Sequence, residues 1–282
     1  MRAVTVLALL MVTTGCSKEQ RLRIGAKNFT EQYVLGEIIA RHIGNRLHIH
    51  ISRHFGIGGA LLAQQAIENG DIDLFPEYTG TALTSVLKRK PAPNVMEILR
   101  EGYKPKGLIW LDSLGFENTF AMVVRREDTG ASNLSDAAKE RAWRLGVGYE
   151  FATRPDGLPG LSSAYNLRLN GKVKTMDLGL LYQALNKKQV DMVAANSTDG
   201  MLSVLPLTVL TDDRHYFPPY ECAIIVRELA LRQYAGLQPV LQELSGRITA
   251  DTMRRLNYEL DGKHRPAREI AKDFLRSAGL ER

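Results

Sequence analysis

Gln65-Ala66-Ile67, followed by Ile72-Asp73-Leu74, returns 118 positions later as Gln183-Ala184-Leu185 followed by Val190-Asp191-Met192. Each copy reads as a helix end, a turn, a strand opening near an aspartate and then a polar loop. At the same offset Tyr78 answers to Asn196 and Thr81 to Asp199. So few matches also arise by chance in an α/β chain. Two readings therefore stand: an incidental likeness, or two similar lobes whose loops 78–81 and 196–199 face each other. Ligands of open α/β sheets bind beyond the carboxyl ends of the strands. These two loops lie at such ends, so they mark where a cleft is expected.

Outward from this repeat, strands and helices alternate. Residues 21–25 (RLRIG) form a short strand. Asn28 is placed to cap the next helix, with Glu31 three residues on as in a capping box. Val34, Leu35, Ile38, Ile39 and Ile43 give that helix one apolar face. Residues 48–52 alternate as a strand, Gly56, Gly58 and Gly59 make a loop, and 60–69 is a second helix. The strand 72–75 is expected to end at Pro76. Further strands are expected at 110–114, 120–125, 144–147 and 190–194, with a turn-rich loop at 155–160 and a helix at 178–187. From Ile248 onward the chain reads as helical, with Pro266 in the first turn of the last helix. The alternation predicts an α/β fold.

The chain has 282 residues, 44% hydrophobic and 24% charged, enough for one large domain or two lobes each with a core. Its two cysteines exclude a disulfide framework and a Cys-rich zinc module. With 37 Lys and Arg against 31 Asp and Glu, the formal charge is +6, a modest and dispersed excess that does not by itself imply nucleic acid. The N-terminus, MRAVTVLALLMVTTGCSKEQ, carries one Arg and an apolar run over 3–12. That run is too short to span a bilayer and fits a signal peptide over 1–15. Thr14-Gly15-Cys16 resembles a bacterial lipoprotein signal, which makes Cys16 the expected lipidated residue. Thr13 departs from the usual Leu, so a plain secretory signal stays open. Beyond it no stretch of spanning length lacks charges.

Enzyme motifs are absent. The sequence has no G-x-S-x-G, no P-loop and no H-E-x-x-H. Gly56 to Gly59 fails the dinucleotide fingerprint because Leu61 stands where its third Gly belongs. His48, His50 and His54 lack accompanying ligands and read as a solvated strand edge rather than a zinc site. Lys88-Arg89-Lys90 reads as an exposed helix end. The C-terminal basic residues Arg254, Arg255, Lys263, Arg265, Arg268, Lys272 and Arg276 read as a solvated helix surface. No catalytic residue, metal or cofactor is expected, and the weight shifts towards binding.

Five blocks, in order, then carry a resemblance: GAKNFTEQ (25–32), FPEYTGT (75–81), LGFENTF (114–120), STDG (197–200) and YFPPY (216–220). Together they resemble the substrate-binding proteins of ABC importers for glycine betaine, choline and related osmoprotectants. The resemblance runs over nearly all the chain after the signal segment. It implies the two-lobed periplasmic-binding-protein fold (type II) with two crossover hinge segments. Lobe 1 would hold 21–120 and 217–282, and lobe 2 would hold 121–216. It also implies a monomeric extracytoplasmic receptor without enzyme activity, held to the membrane through Cys16. Its partner would be a separate permease chain with an ATPase, and nucleic acid would be no partner.

The family holds a quaternary ammonium between aromatic faces, because such a cation donates no ordinary hydrogen bond. By that resemblance Tyr78 and Tyr220 match two cage walls. Phe120 stands where a tyrosine is usual, and Asn196 where many relatives have an aromatic. One lost wall corresponds to a trimethylammonium ligand bound about twofold to thirtyfold more weakly. Lys27, Thr81 and Arg154 match positions that hold a ligand carboxylate. Asn118 and Asp199 match contact or supporting positions. Two alternatives stay open: the same receptor role for another small polar solute such as an amino acid, with Asn196 hydrogen-bonding it, and an enzyme or sensor on the same fold.

Overall fold

The computed structural model describes residues 21–90 and 92–281. The expected signal segment 1–15 and the expected lipidation site Cys16 lie outside the described residues. Among those described, the strands in chain order are β1 (Leu22–Ala26), β2 (Ile51–Phe55), β3 (Leu74–Tyr78), β4 (Leu108–Glu117), β5 (Phe120–Arg125), β6 (Leu145–Val147), β7 (Lys174–Thr175), β8 (Met192–Asn196), β9 (Leu207–Leu210) and β10 (Glu221–Arg227). They form two five-stranded sheets, ordered β2-β1-β3-β10-β4 and β7-β6-β8-β5-β9. Helices pack on both, so the class is α/β.

The two sheets share one plan. In the first, β1 runs parallel to β2 and β3, and β10 is antiparallel to β3 and β4. In the second, β6 runs parallel to β7 and β8, and β5 is antiparallel to β8 and β9. The antiparallel strand of each sheet is the one next to a crossover from the other sheet. Phe120 and Phe217, one from each crossover, lie 5.7 Å apart between ring centroids. Both pack against the apolar cores of both halves.

The 118-residue repeat is structural. β3 and β8 occupy the same positions in the two copies. In the first, the amides of Asp71 and Ile72 donate to Ala66 O; in the second, those of Gln189 and Val190 donate to Ala184 O. The Asp73 amide then bonds Arg23 O at 2.7 Å and the Asp191 amide bonds Arg144 O at 2.8 Å. Both carboxylates do the same work. Asp73 receives Arg23 Nε at 3.0 Å and Arg227 Nη1 at 3.4 Å. Asp191 receives Arg144 Nε at 2.7 Å and Arg125 Nη2 at 3.1 Å. Arg227 and Arg125 end the antiparallel strands β10 and β5. One aspartate per half thus pins a parallel strand and the antiparallel strand together at the end of the sheet away from the loops 78–81 and 196–199.

Helix α1 (Thr30–Leu47) buries Val34, Leu35, Ile38, Ile39 and Ile43 as its periodicity requires. Three local expectations are corrected. Asn28 caps nothing: the cap residue is Phe29, without a side-chain cap bond, and Glu31 is turned to other partners. His48 closes α1 in the left-handed region at φ 52° rather than starting a strand, so β2 begins at Ile51. β3 runs through Pro76 to Tyr78. Pro76 turns its carbonyl to Gln32 Nε2, on the side away from β10. Its missing N–H faces that side too, where β1 has already stopped pairing after Leu74. Among the described residues no helix is long and apolar enough to cross a membrane.

Arg144, bonded to the Asp191 carboxylate, holds its pKa down at about 2 against an ordinary 3.8. A carboxylate lowered in the folded state contributes stability above its unfolded pKa and loses it as pH falls through the folded one. Asp191→Asn should therefore cost about 1–3 kcal/mol near neutral pH. In thermal melts the gap between the variant and the parent should narrow as pH falls from about 4 towards about 2; a gap that does not change over that range refutes the role given to Asp191.

Candidate functional site

The loops following β1, β3, β6 and β8 converge on a cleft of about 990 Å³ between the two sheets. All nine residues singled out in the sequence line it: Lys27, Tyr78, Thr81, Asn118, Phe120, Arg154, Asn196, Asp199 and Tyr220. The loops put them there, since each lies at or just past a strand end, at the end of the short helix Tyr149–Thr153 after β6, or at a crossover.

An aromatic wall forms first. Phe120 meets Phe151 edge-on at 4.8 Å and Tyr220 at 5.6 Å. Phe120 is the cross-strand partner of Asn196 in the β5–β8 ladder, so the two face the cleft from adjacent strands. Tyr220 lies against the loop after β3, where a Cβ on Gly80 would stand 2.6 Å from its ring. Glycine at 80 is thus required for that contact. Tyr78 is buried; Phe29 stacks on it at 6.3 Å, and Lys27 Nζ lies 4.5 Å from its ring centre.

Each cation of the cleft wall already has a buried counter-ion. Lys27 Nζ pairs with Glu77. Arg154 reaches Asp156 with two bonds, Nε to Oδ1 at 2.8 Å and Nη2 to Oδ2 at 2.5 Å. Its Nη1 donates to Thr81 Oγ1 at 3.2 Å, and its Cζ lies 5.2 Å from the Phe120 ring centre. Asp156 also accepts from Tyr220 OH at 2.5 Å and Thr84 Oγ1 at 2.7 Å. Burial pushes the Asp156 pKa up, but Arg154, Tyr220 and Thr84 outweigh it and hold it below the usual carboxylate range. This knot ties the half built on the second sheet to the half built on the first.

Among the described residues, Glu31 and Asp199 are held by neutral donors. Glu31 is buried and accepts four bonds, from Tyr78 OH at 2.6 Å, Asn118 Nδ2 at 2.9 Å, Thr198 Oγ1 at 2.5 Å and Asn257 Nδ2 at 3.0 Å. Burial raises its pKa against these donors. Asp199 accepts from Tyr182 OH at 2.9 Å and from the Asn196 amide at 3.0 Å, and burial pushes it up to about 6. Asp177 and Asp261 also line the cleft, and Glu150 lies at its rim with its carboxylate on the Ala60 amide. The lining thus carries more carboxylates than cations, which favours a cationic group inside it.

Sequence reading missed Glu31, Phe151, Asp156 and Tyr182. Glu31 carried a local signal that pointed elsewhere, to a capping box. Asp156 sat inside a run of turn residues, Pro155-Asp156-Gly157, which masks a carboxylate with a long-range role. The partners of Phe151 and Tyr182 carried no signal at all.

A protein-family model for the substrate-binding domain of the ABC-type glycine betaine transport system matches residues 20–277. The chain is 32% identical over 280 residues to the ergothioneine transport permease/ergothioneine binding protein EgtU of Helicobacter pylori (strain G27), covering 97% of this chain and 50% of that one. This chain thus spans half the length of that relative. It is 31% identical over 271 residues to the carnitine transport binding protein OpuCC of Listeria monocytogenes serotype 1/2a, covering 93% of this chain and 88% of the relative. A crystal structure of a glycine betaine/carnitine/choline ABC transporter superposes with a TM-score of 0.77 at 32% identity, covering 93% of this chain and 100% of that one.

Glu31→Gln puts an NH2 group in front of two of the four donors. In urea unfolding it should cost about 2–4 kcal/mol; a loss below about 0.5 kcal/mol would mean the carboxylate is not the junction the geometry makes it.

Proposed function

Because the chain belongs to the family of substrate-binding domains of ABC-type glycine betaine transport systems, we propose that its cleft takes a small trimethylammonium compound such as glycine betaine, choline or carnitine and presents it to an importer's permease. Members of this family are solute-binding receptors rather than enzymes, and they work outside the cytoplasm. The observation that carries the reading is the meeting of three rings, Tyr78, Phe120 and Tyr220, with an excess of carboxylates in one cleft between the two sheets. Rings and carboxylates attract a cation that cannot donate hydrogen bonds, and the surrounding apolar groups keep water from competing.

In this reading Tyr78, Phe120 and Tyr220 form the cage, and Asn196 fills the place of a further wall. Lys27, Thr81 and Arg154 hold the anionic end where the ligand has one. Lys27 and Arg154 do so as members of the pairs with Glu77 and Asp156, so Thr81 and the outer N–H groups of Arg154 provide the donors. Asn118 and Asp199 support the cage through Glu31 and Tyr182. The lobes are residues 21–120 with 217–282 and residues 121–216, hinged at the crossovers that carry Phe120 and Phe217, and the receptor acts as a monomer. Residues 1–15 are its signal peptide and Cys16 its lipid anchor.

A second reading rests on the polar group Asn196–Asp199–Tyr182 in the cleft. It gives the cleft a larger betaine with a polar ring, of the kind named for the Helicobacter relative.

Calorimetric titration with glycine betaine, choline, carnitine, ergothioneine and the common amino acids decides among these. A trimethylammonium compound should bind, and Tyr220→Ala should weaken it about tenfold or more. If only ligands without that group bind, the cage assignment is wrong. Because Asp199 ionises around pH 6, affinity for choline should rise a few-fold from pH 5 to pH 7, and Asp199→Asn should flatten that rise.

A further inference from the structure

Helix α2 (Ala60–Asn69) starts without a cap of its own. Its cap residue is Gly59, which has no side-chain oxygen to offer. The first amide of the helix, Ala60 N–H, donates instead to Glu150 Oε1 at 2.7 Å. Glu150 sits in the short helix Tyr149–Thr153 after β6, in the half built on the second sheet, whereas α2 packs on the first. The cap crosses the cleft. Gly59 is shaped to receive it: a Cβ there would stand 2.2 Å from Glu150 Oε1 and 2.9 Å from its Cδ. The backbone at Gly59, at φ −84°, is open to any residue, so the glycine is explained by the approaching carboxylate and not by its own conformation. The neighbours on either side, Leu61 and Tyr149, are 57% and 61% exposed, which puts the contact at the rim of the cleft rather than in the ligand space among Tyr78, Phe120 and Tyr220.

We propose that Glu150 is a closing latch, a helix cap supplied from the opposite half and made only when the two halves meet. A helix start presents unpaired N–H groups and a positive end of the helix dipole, so an approaching carboxylate is drawn to it. With the halves apart, α2 has water at its first amide. With them together it has Glu150. Glu150 is thus a positioning residue: it biases the closed form and acts on the ligand through that bias. The inference rests on the reading of the cleft as a ligand site that closes.

The test uses the chain with Glu150→Ala, Gly59→Ala, Glu150→Gln and the double variant Glu150→Ala/Gly59→Ala, titrated with glycine betaine, choline and carnitine. Either alanine variant should weaken every ligand that binds by the same factor, about two- to tenfold, the size of a lost helix cap. The loss should sit mainly in the dissociation rate. The double variant should be no weaker than either single one, because both remove one contact. Glu150→Gln, which keeps an acceptor oxygen, should fall between. Unaltered affinity, a change in preference among ligands, or additive losses each overturn the latch. Hydrogen exchange at the Ala60 amide in ligand-free protein reads the contact without any ligand: faster exchange in both alanine variants supports the latch, and equal exchange sinks it. Failure of all three compounds to bind the parent chain would instead count against the proposed function and leave the exchange result to judge the latch.

Discussion

A carboxylate taken out of water must find donors or give up its charge. Glu31, at the start of α1, finds four, from the end of β3, the first crossover, the loop after β8 and the helix Ala250–Asp261. The third of these belongs to the opposite half. None of the donors carries a charge, so what holds the junction together is the direction of four hydrogen bonds rather than an ion pair. Tyr78 is fixed by its hydroxyl in this way, and Asn118 by its amide. The position of the aromatic wall therefore follows from where Glu31 is held.

The same economy of charge shapes the rest of the cleft. Lys27 and Arg154 each answer a buried acid, Glu77 and Asp156, and so bring little free positive potential into the space between the sheets. Glu31 and Asp199 are met by neutral donors, and their negative charge is not cancelled locally. Carboxylates thus outnumber cations in the cleft of a chain whose overall charge is positive. Arg154 in addition lies over Phe120, so one guanidinium steadies a ring, a hydroxyl and a carboxylate at once.

Much of this was legible in the sequence wherever the determinants are local or repeated. Asp73 and Asp191 stood out by their offset alone, and the hydrogen bonds around them are copies of each other. The nine lining residues were legible because they sit in loops after strands and in motif blocks quoted whole. What was hidden depends on partners far along the chain. Glu31 three residues after Asn28 looks like a capping box, yet its partners lie at 78, 118, 198 and 257. Asp156 looks like a turn residue, yet it answers Tyr220 and Thr84. Pro76 looked like a strand end because the local rule counts a missing N–H as a missing ladder bond, and only the sheet order reveals that this N–H had no ladder to join.

The late position of β10 in the chain has a consequence for assembly. It is the fourth strand of the first sheet, between β3 and β4, but it is made only at residues 221–227. The second sheet is drawn entirely from residues 120–210 and closes on contiguous chain. A chain growing from its N-terminus therefore completes the second sheet first, while β3 and β4 wait with open edges for a strand that is still to come. The half that contributes Tyr78 and Glu31 is thus the last to form, and any process that detains the nascent chain before residue 227 keeps the molecule in a state that has one finished sheet and no cleft.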